Sequence, residues 1–76
     1  MTLRDVMTAI ALHQLHDWPT TVDGQTRLCP GIVDGIKRLM GNRYAVSVFT
    51  TSREWIVLQF TAAPSPTNDP LDAELR

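Results

Sequence analysis

The sequence predicts a small α+β domain, with two helices packed on one face of a C-terminal antiparallel β-hairpin. Three observations predict it. Tyr44 to Phe60 reads as two β-branched and aromatic runs around the polar segment Thr50 to Glu54, the pattern of strand, turn and strand. Leu3, Val6, Met7, Ile10 and Ala11 recur at three- and four-residue spacing, as do Ile32, Val33, Ile36, Leu39 and Met40, which is the period of an amphipathic helix. The chain of 76 residues is 43% hydrophobic and 20% charged, which suits one small globular core rather than a disordered chain.

In chain order, Thr2 and Asp5 form a capping-box start, with an acid placed near the positive end of the helix dipole. The first helix is expected from about Leu3 to His16, with Leu15 and Trp18 extending its stripe and Pro19 stopping it. Asp23-Gly24 is a turn pair, so Thr21-Val22 and Gln25-Thr26 are expected to form a turn or a very short hairpin. A helix there would carry Gly24 in its interior at a cost of about 1 kcal/mol. The second helix is expected to begin near Pro30, whose missing N–H suits a first turn, and to end at Gly41 and Asn42.

The order of elements is then α, a turn or short ββ, α, β, β. The last hairpin lacks Gly or Asn at its tip, so a loop longer than two residues is expected. Opposing Phe49 to Trp55 sets the register. Val48, Val46, Tyr44, Ile56, Leu58 and Phe60 then share the core face, and Ala45, Ser47, Phe49, Trp55, Val57 and Gln59 share the reverse face. Residues 1–61 form the expected domain. Residues 62–76, with Pro64, Pro66 and Pro70 and with Asp69, Asp72 and Glu74 against Arg76, are expected to be a mobile acidic tail anchored at most by Leu71 and Leu75.

Charge and cysteine count limit the function classes. Seven basic and eight acidic residues give a net charge of −1, no general pull toward nucleic acid or an anionic membrane. A single cysteine excludes an internal disulfide, so a cytoplasmic location is expected. No run approaches the ~18 apolar residues of a membrane span, and the first residues do not read as a secretion signal.

Chemistry-bearing residues are few. His13, His16 and Asp17 fall at i, i+3 and i+4, but zinc needs three or four convergent ligands and only the distant Cys29 is available as a further one. Histidines near a helix end interact with its dipole without any metal. Cys29 precedes Pro30 and Gly31 without a base or a third member that would make it a nucleophile. The four glycines form neither phosphate-binding loop. No catalytic residue, metal or cofactor is expected, and an enzyme is not.

The reverse face of the hairpin carries the functional expectation. A solvated face should be polar, yet Phe49, Trp55 and Val57 would together present about 400 Å2 of apolar surface, the size that marks an interaction site. With Arg53 and Arg43 as polar rim, they predict a non-enzymatic module that docks on a larger protein and modulates or inhibits it, as short phage and mobile-element proteins do. The same face, or the hairpin edge, also suits a homodimer.

The alternative comes from the segment IKRLMGNRYAVSVFTTSREWIVLQF, which resembles the recognition-helix-and-wing half of winged-helix domains. That resemblance implies DNA contacts from Lys37, Arg38, Arg43 and Arg53. The segment from Pro19 to Cys29 discriminates the two readings: a helix there favours the winged form, and a turn or hairpin favours protein binding.

Overall fold

The computed structural model describes residues 1–65 and 67–76. A single α-helix, α1 (Leu3–Leu12), is followed by four strands: β1 (Leu15–Val22), β2 (Gln25–Arg38), β3 (Arg43–Thr50) and β4 (Trp55–Thr61). A short 3-10 turn (Pro70–Asp72) comes last. The strands form one antiparallel sheet in the order β1-β2-β3-β4. The expected architecture of two helices on a hairpin is therefore corrected: one short helix lies against a four-stranded curled sheet.

The largest correction is the second helix, whose residues form β2. Pro30, Gly31 and Gly35 are poor helix formers, while Ile32, Val33 and Ile36 are β-branched. A β-bulge explains the misleading spacing. Val33 pairs with Val48 and Ile36 with Val46, so β2 spends one extra residue between two successive core-facing pairs. Two inward side chains thus fall three apart, which imitates a helical period. Ile32 faces the opposite way, in register with Phe49, and Met40 stands almost fully exposed in the β2–β3 connection.

α1 is also shorter than expected. Its capping box forms as read, with Thr2 Oγ1 accepting from the Asp5 N–H and the Asp5 carboxylate accepting from the Thr2 N–H. The backbone hydrogen bond to Thr2 holds the Asp5 carboxyl below its ordinary pKa. The helix closes at His13, in the left-handed conformation (φ 52°), where the Gln14 N–H reaches back to the Ala9 carbonyl. Leu15 and Trp18, placed on the helical stripe from sequence, belong to β1.

The hairpin around Asp23-Gly24 exists and is far longer than the one expected. Val22 pairs with Gln25, and Asp23 (φ 53°) and Gly24 (φ 76°) supply the two positive φ angles of a type I′ turn. This turn makes Val22 and Gln25 a hydrogen-bonded pair, so Pro19, three residues back, points its missing N–H to the free edge of β1. Pro30 by the same alternation turns its nitrogen away from β1, and its carbonyl accepts from the Thr51 N–H at 3.1 Å.

The core lies inside the curl. Trp18 on β1 is completely buried, and its ring centroid is 6.4 Å from that of Phe60 on β4, so the two outermost strands meet across the interior. Its indole N–H donates to the Gly31 carbonyl at 3.2 Å. A side chain at Gly31 would collide with Val48, 2.5 Å away, which explains glycine at this crossing. Leu3, Val6 and Ala9 of α1 close the core over Val33, Val46 and Val48.

Residues 62–76, read from sequence as a tail, run back along this body; Pro66 falls outside the described residues. Ala62, Ala73 and Leu75 are buried in the core. Leu75 donates to the Met1 carbonyl, while Thr61 and Arg76 exchange both backbone hydrogen bonds. Arg4 pairs with Asp69 (2.8 Å) and Asp72 (3.2 Å), and the terminal amine with Glu74 (2.6 Å). The Thr67 hydroxyl and Arg4 hold the Asp72 carboxyl below its ordinary pKa. All three acids of this stretch are thus engaged by the N-terminal segment.

Candidate functional site

The β3–β4 hairpin has the register read from sequence, with Phe49 opposite Trp55, Val48 opposite Ile56, Val46 opposite Leu58 and Tyr44 opposite Phe60. Its loop is a three-residue turn. The Arg53 N–H donates to the Thr50 carbonyl and the Thr50 N–H to the Glu54 carbonyl. Arg53 itself is left-handed at φ 66°. This is a type I turn closed by a G1 bulge, whose αL position normally belongs to glycine.

Opposite the core, the sheet presents an apolar row. Leu15 pairs with Ile32, Ile32 with Phe49 and Phe49 with Trp55, so one side chain from each strand stands in register across the whole sheet. Their exposures are 58, 39, 36 and 63%, and Val57, diagonal to Phe49, is 63% exposed. The Phe49 and Trp55 rings pack on each other with centroids 4.8 Å apart at 46°. Shallow grooves flank the row. One of about 230 Å3 is lined by Ile10, His13 and Asp34 beside Ile32 and Trp55, and the other, about 260 Å3, by Leu15, Thr51 and Arg53.

The sequence-predicted site residues divide between the two ends of the sheet. Phe49, Trp55, Val57 and Arg53 are contiguous. Arg43 is six residues from Phe49 along β3, about 20 Å at strand rise, and donates to the Gln59 side-chain carbonyl. Leu15 and Ile32 are part of the row and were missed from sequence, because each was assigned to a helix. Their alternation with Trp18 and with Val33 was the available signal, and the bulge obscured it.

The basic set of the alternative reading loses its frame. Lys37 and Arg38 lie at the end of β2, not on a recognition helix, and Arg38 donates to the Gly41 carbonyl. Pro19 to Cys29 is a hairpin. His16 and Asp17 are neighbours on a strand and point to opposite faces, and His13 caps the helix. Cys29 is half-buried directly opposite Trp18. Among the described residues no three His, Cys, Asp or Glu side chains gather in a way that could hold a metal ion. No described helix is long and apolar enough to cross a membrane.

Comparison with protein-family models, with curated proteins and with solved structures finds no match to this chain.

Arg53 gives a direct test of what the hairpin tip is for. An L-residue in the left-handed region costs about 1–2 kcal/mol, part of which glycine regains at the expense of its own chain entropy. Arg53→Gly is therefore expected to stabilise the fold by about 0.5–1 kcal/mol, a rise of roughly 2–8 °C in melting temperature for a domain of this size. Thermal denaturation followed by circular dichroism reads it. An unchanged or lowered melting temperature would show that the guanidinium itself holds the tip.

Proposed function

We propose that this protein is a non-enzymatic binding module that docks on a larger protein through the outer face of its sheet and modulates or inhibits that partner. The observation that carries the reading is the in-register row Leu15–Ile32–Phe49–Trp55, which leaves two mutually packed, tilted aromatic rings on the face turned away from the core. Water-exposed apolar surface of this extent on a small protein is costly to leave uncovered, and aromatic anchors dominate interface energies. Arg53 borders the row and supplies a charged donor in a strained backbone position, the kind of outlier that function retains. Arg43 serves a separate polar margin at the far end of the face.

The test is capture of partners by the tagged protein from lysate of its own host, with and without nuclease, read by mass spectrometry. Docking on a protein requires one protein captured in both arms. Capture that disappears with nuclease sinks the reading and turns attention to Lys37, Arg38, Arg43 and Arg53.

A further inference from the structure

The hydrogen-bond phase of β4 defines a second surface, its free edge. Thr50 and Glu54 bond across the hairpin, as do Asn42 and Ala62. Alternation then assigns Glu54, Ile56, Leu58, Phe60 and Ala62 to the β3 ladder, and Trp55, Val57, Gln59 and Thr61 to the opposite edge. Thr61 conforms: it exchanges both backbone hydrogen bonds with Arg76, and Ala63 continues the pairing with Glu74. Trp55, Val57 and Gln59 present their N–H and C=O groups beyond that clip. No other strand pairs there among the described residues.

Exposed edges are normally blunted by charge, proline or a bulge. β1, the other outermost strand, carries His16, Asp17 and Pro19. β4, WIVLQFT, has no charge, no proline and an unbroken register with β3. Such a strand requires a cover.

We infer that two copies of this chain pair through β4, antiparallel about a dyad at Val57, to make one continuous eight-stranded sheet. Directly opposite residues of an antiparallel pair share a face, so the dyad must pass through a residue, and Ile56, Val57 and Leu58 are the three that fit the free window. A dyad at Ile56 would oppose Gln59 to Arg53 in the turn of the second copy and leave its edge groups unpaired. A dyad at Leu58 would oppose Trp55 to Thr61 of the second copy, whose backbone groups Arg76 already occupies. A dyad at Val57 opposes Trp55 to Gln59, Val57 to Val57 and Gln59 to Trp55, using every free edge group. The turn at Arg53 ends the pairing on one side and the clip at Thr61 ends it on the other.

Side chains along the seam are self-compatible, since no charged residue faces another across it. Pairing from Trp55 to Gln59 engages five residues of each copy, a small seam of the class of weak or transient interfaces, below ~1,200 Å2 in total. The seam is made by backbone groups of the edge, so the dimer does not depend on the docking proposal, although Trp55 and Val57 border both surfaces. It leaves Phe49, Ile32 and Leu15 exposed on both copies.

Sedimentation equilibrium across about 1–500 μM brackets an interface of this strength. The expected result is a mass that climbs from 8.5 kDa toward twice that value. A constant 8.5 kDa overturns the proposal. Val57→Pro removes an N–H that faces the edge and none from the β3 ladder, so it is expected to fold and to remain monomeric at every concentration. A Val57→Pro protein that still dimerises rejects the edge as the interface. Should that variant fail to fold, cysteine pairing decides. In a Cys29→Ser background, oxidised Val57→Cys is expected to form a covalent dimer, because the two Cα atoms meet at about 5.5 Å, and Gln59→Cys is not. Cross-linking of both variants alike, or of neither, overturns the register.

Discussion

Trp18→Ala is expected to destabilise the protein strongly. Removing a fully buried tryptophan costs about 3–5 kcal/mol, because the lost transfer energy is joined by the cavity left behind. A chain of this length has roughly 4–11 kcal/mol of stability in all, so the substitution consumes much of it and lowers the melting temperature by about 12–40 °C. The position is sensitive for a geometric reason. Trp18 fills the curl between the outermost strands, against Phe60, and its indole N–H satisfies the Gly31 carbonyl where β2 changes partners from β1 to β3. Trp18→Phe keeps most of the volume and loses the indole hydrogen bond, and a cost of about 1–3 kcal/mol is expected for the lost bond and residual gap. Thermal melts of both variants check the order. If Trp18→Ala melts within a few degrees of the parent protein, the two edge strands do not depend on this ring for closure.

What the sequence disclosed followed from which signals were local. The capping box at Thr2 and Asp5, the turn at Asp23-Gly24 and the Phe49–Trp55 register all depend on residues a few positions apart, and all three form. The second helix failed because its evidence was periodicity, and the β2 bulge places Val33 and Ile36 three apart on one face. Pro30, Gly31 and Gly35 speak against a helix, but Pro30 also suits a first helical turn, and that compatible role hides the objection. Trp18 is hidden for a similar reason: Pro19 beside it imitates a helix stop and masks the alternation of β1. The buried places of Ala62, Ala73 and Leu75 depend on contacts with Met1 and Leu3 at the other end of the chain, which no local pattern announces. Half of the apolar row was therefore legible, the half contained in one hairpin, and Leu15 and Ile32 became visible only with the tertiary register.

Replacing Phe49 and Trp55 together by serine is expected to weaken partner binding by at least about 100-fold while the domain stays folded. Each ring at the centre of an interface is worth about 2 kcal/mol or more, and because such contributions overlap, the double loss is set below their sum. Folding is expected to survive because both rings stand on the face away from the core. Trp55 is 63% exposed, and Phe49 packs on Trp55 and stands beside Ile32 on the same outer face. The pair must be changed together: a single substitution leaves the other ring free to slide over the vacancy. Binding would be measured by titrating the captured partner, and folding by near-ultraviolet circular dichroism, where buried Trp18 remains as a reporter. A folded double variant that binds as the parent does removes the outer face from consideration. If the variant unfolds, the two rings belong to the structure that holds β3 and β4 together, and the Leu15–Ile32 end of the row, changed to serine in its turn, becomes the test of whether the face binds anything at all.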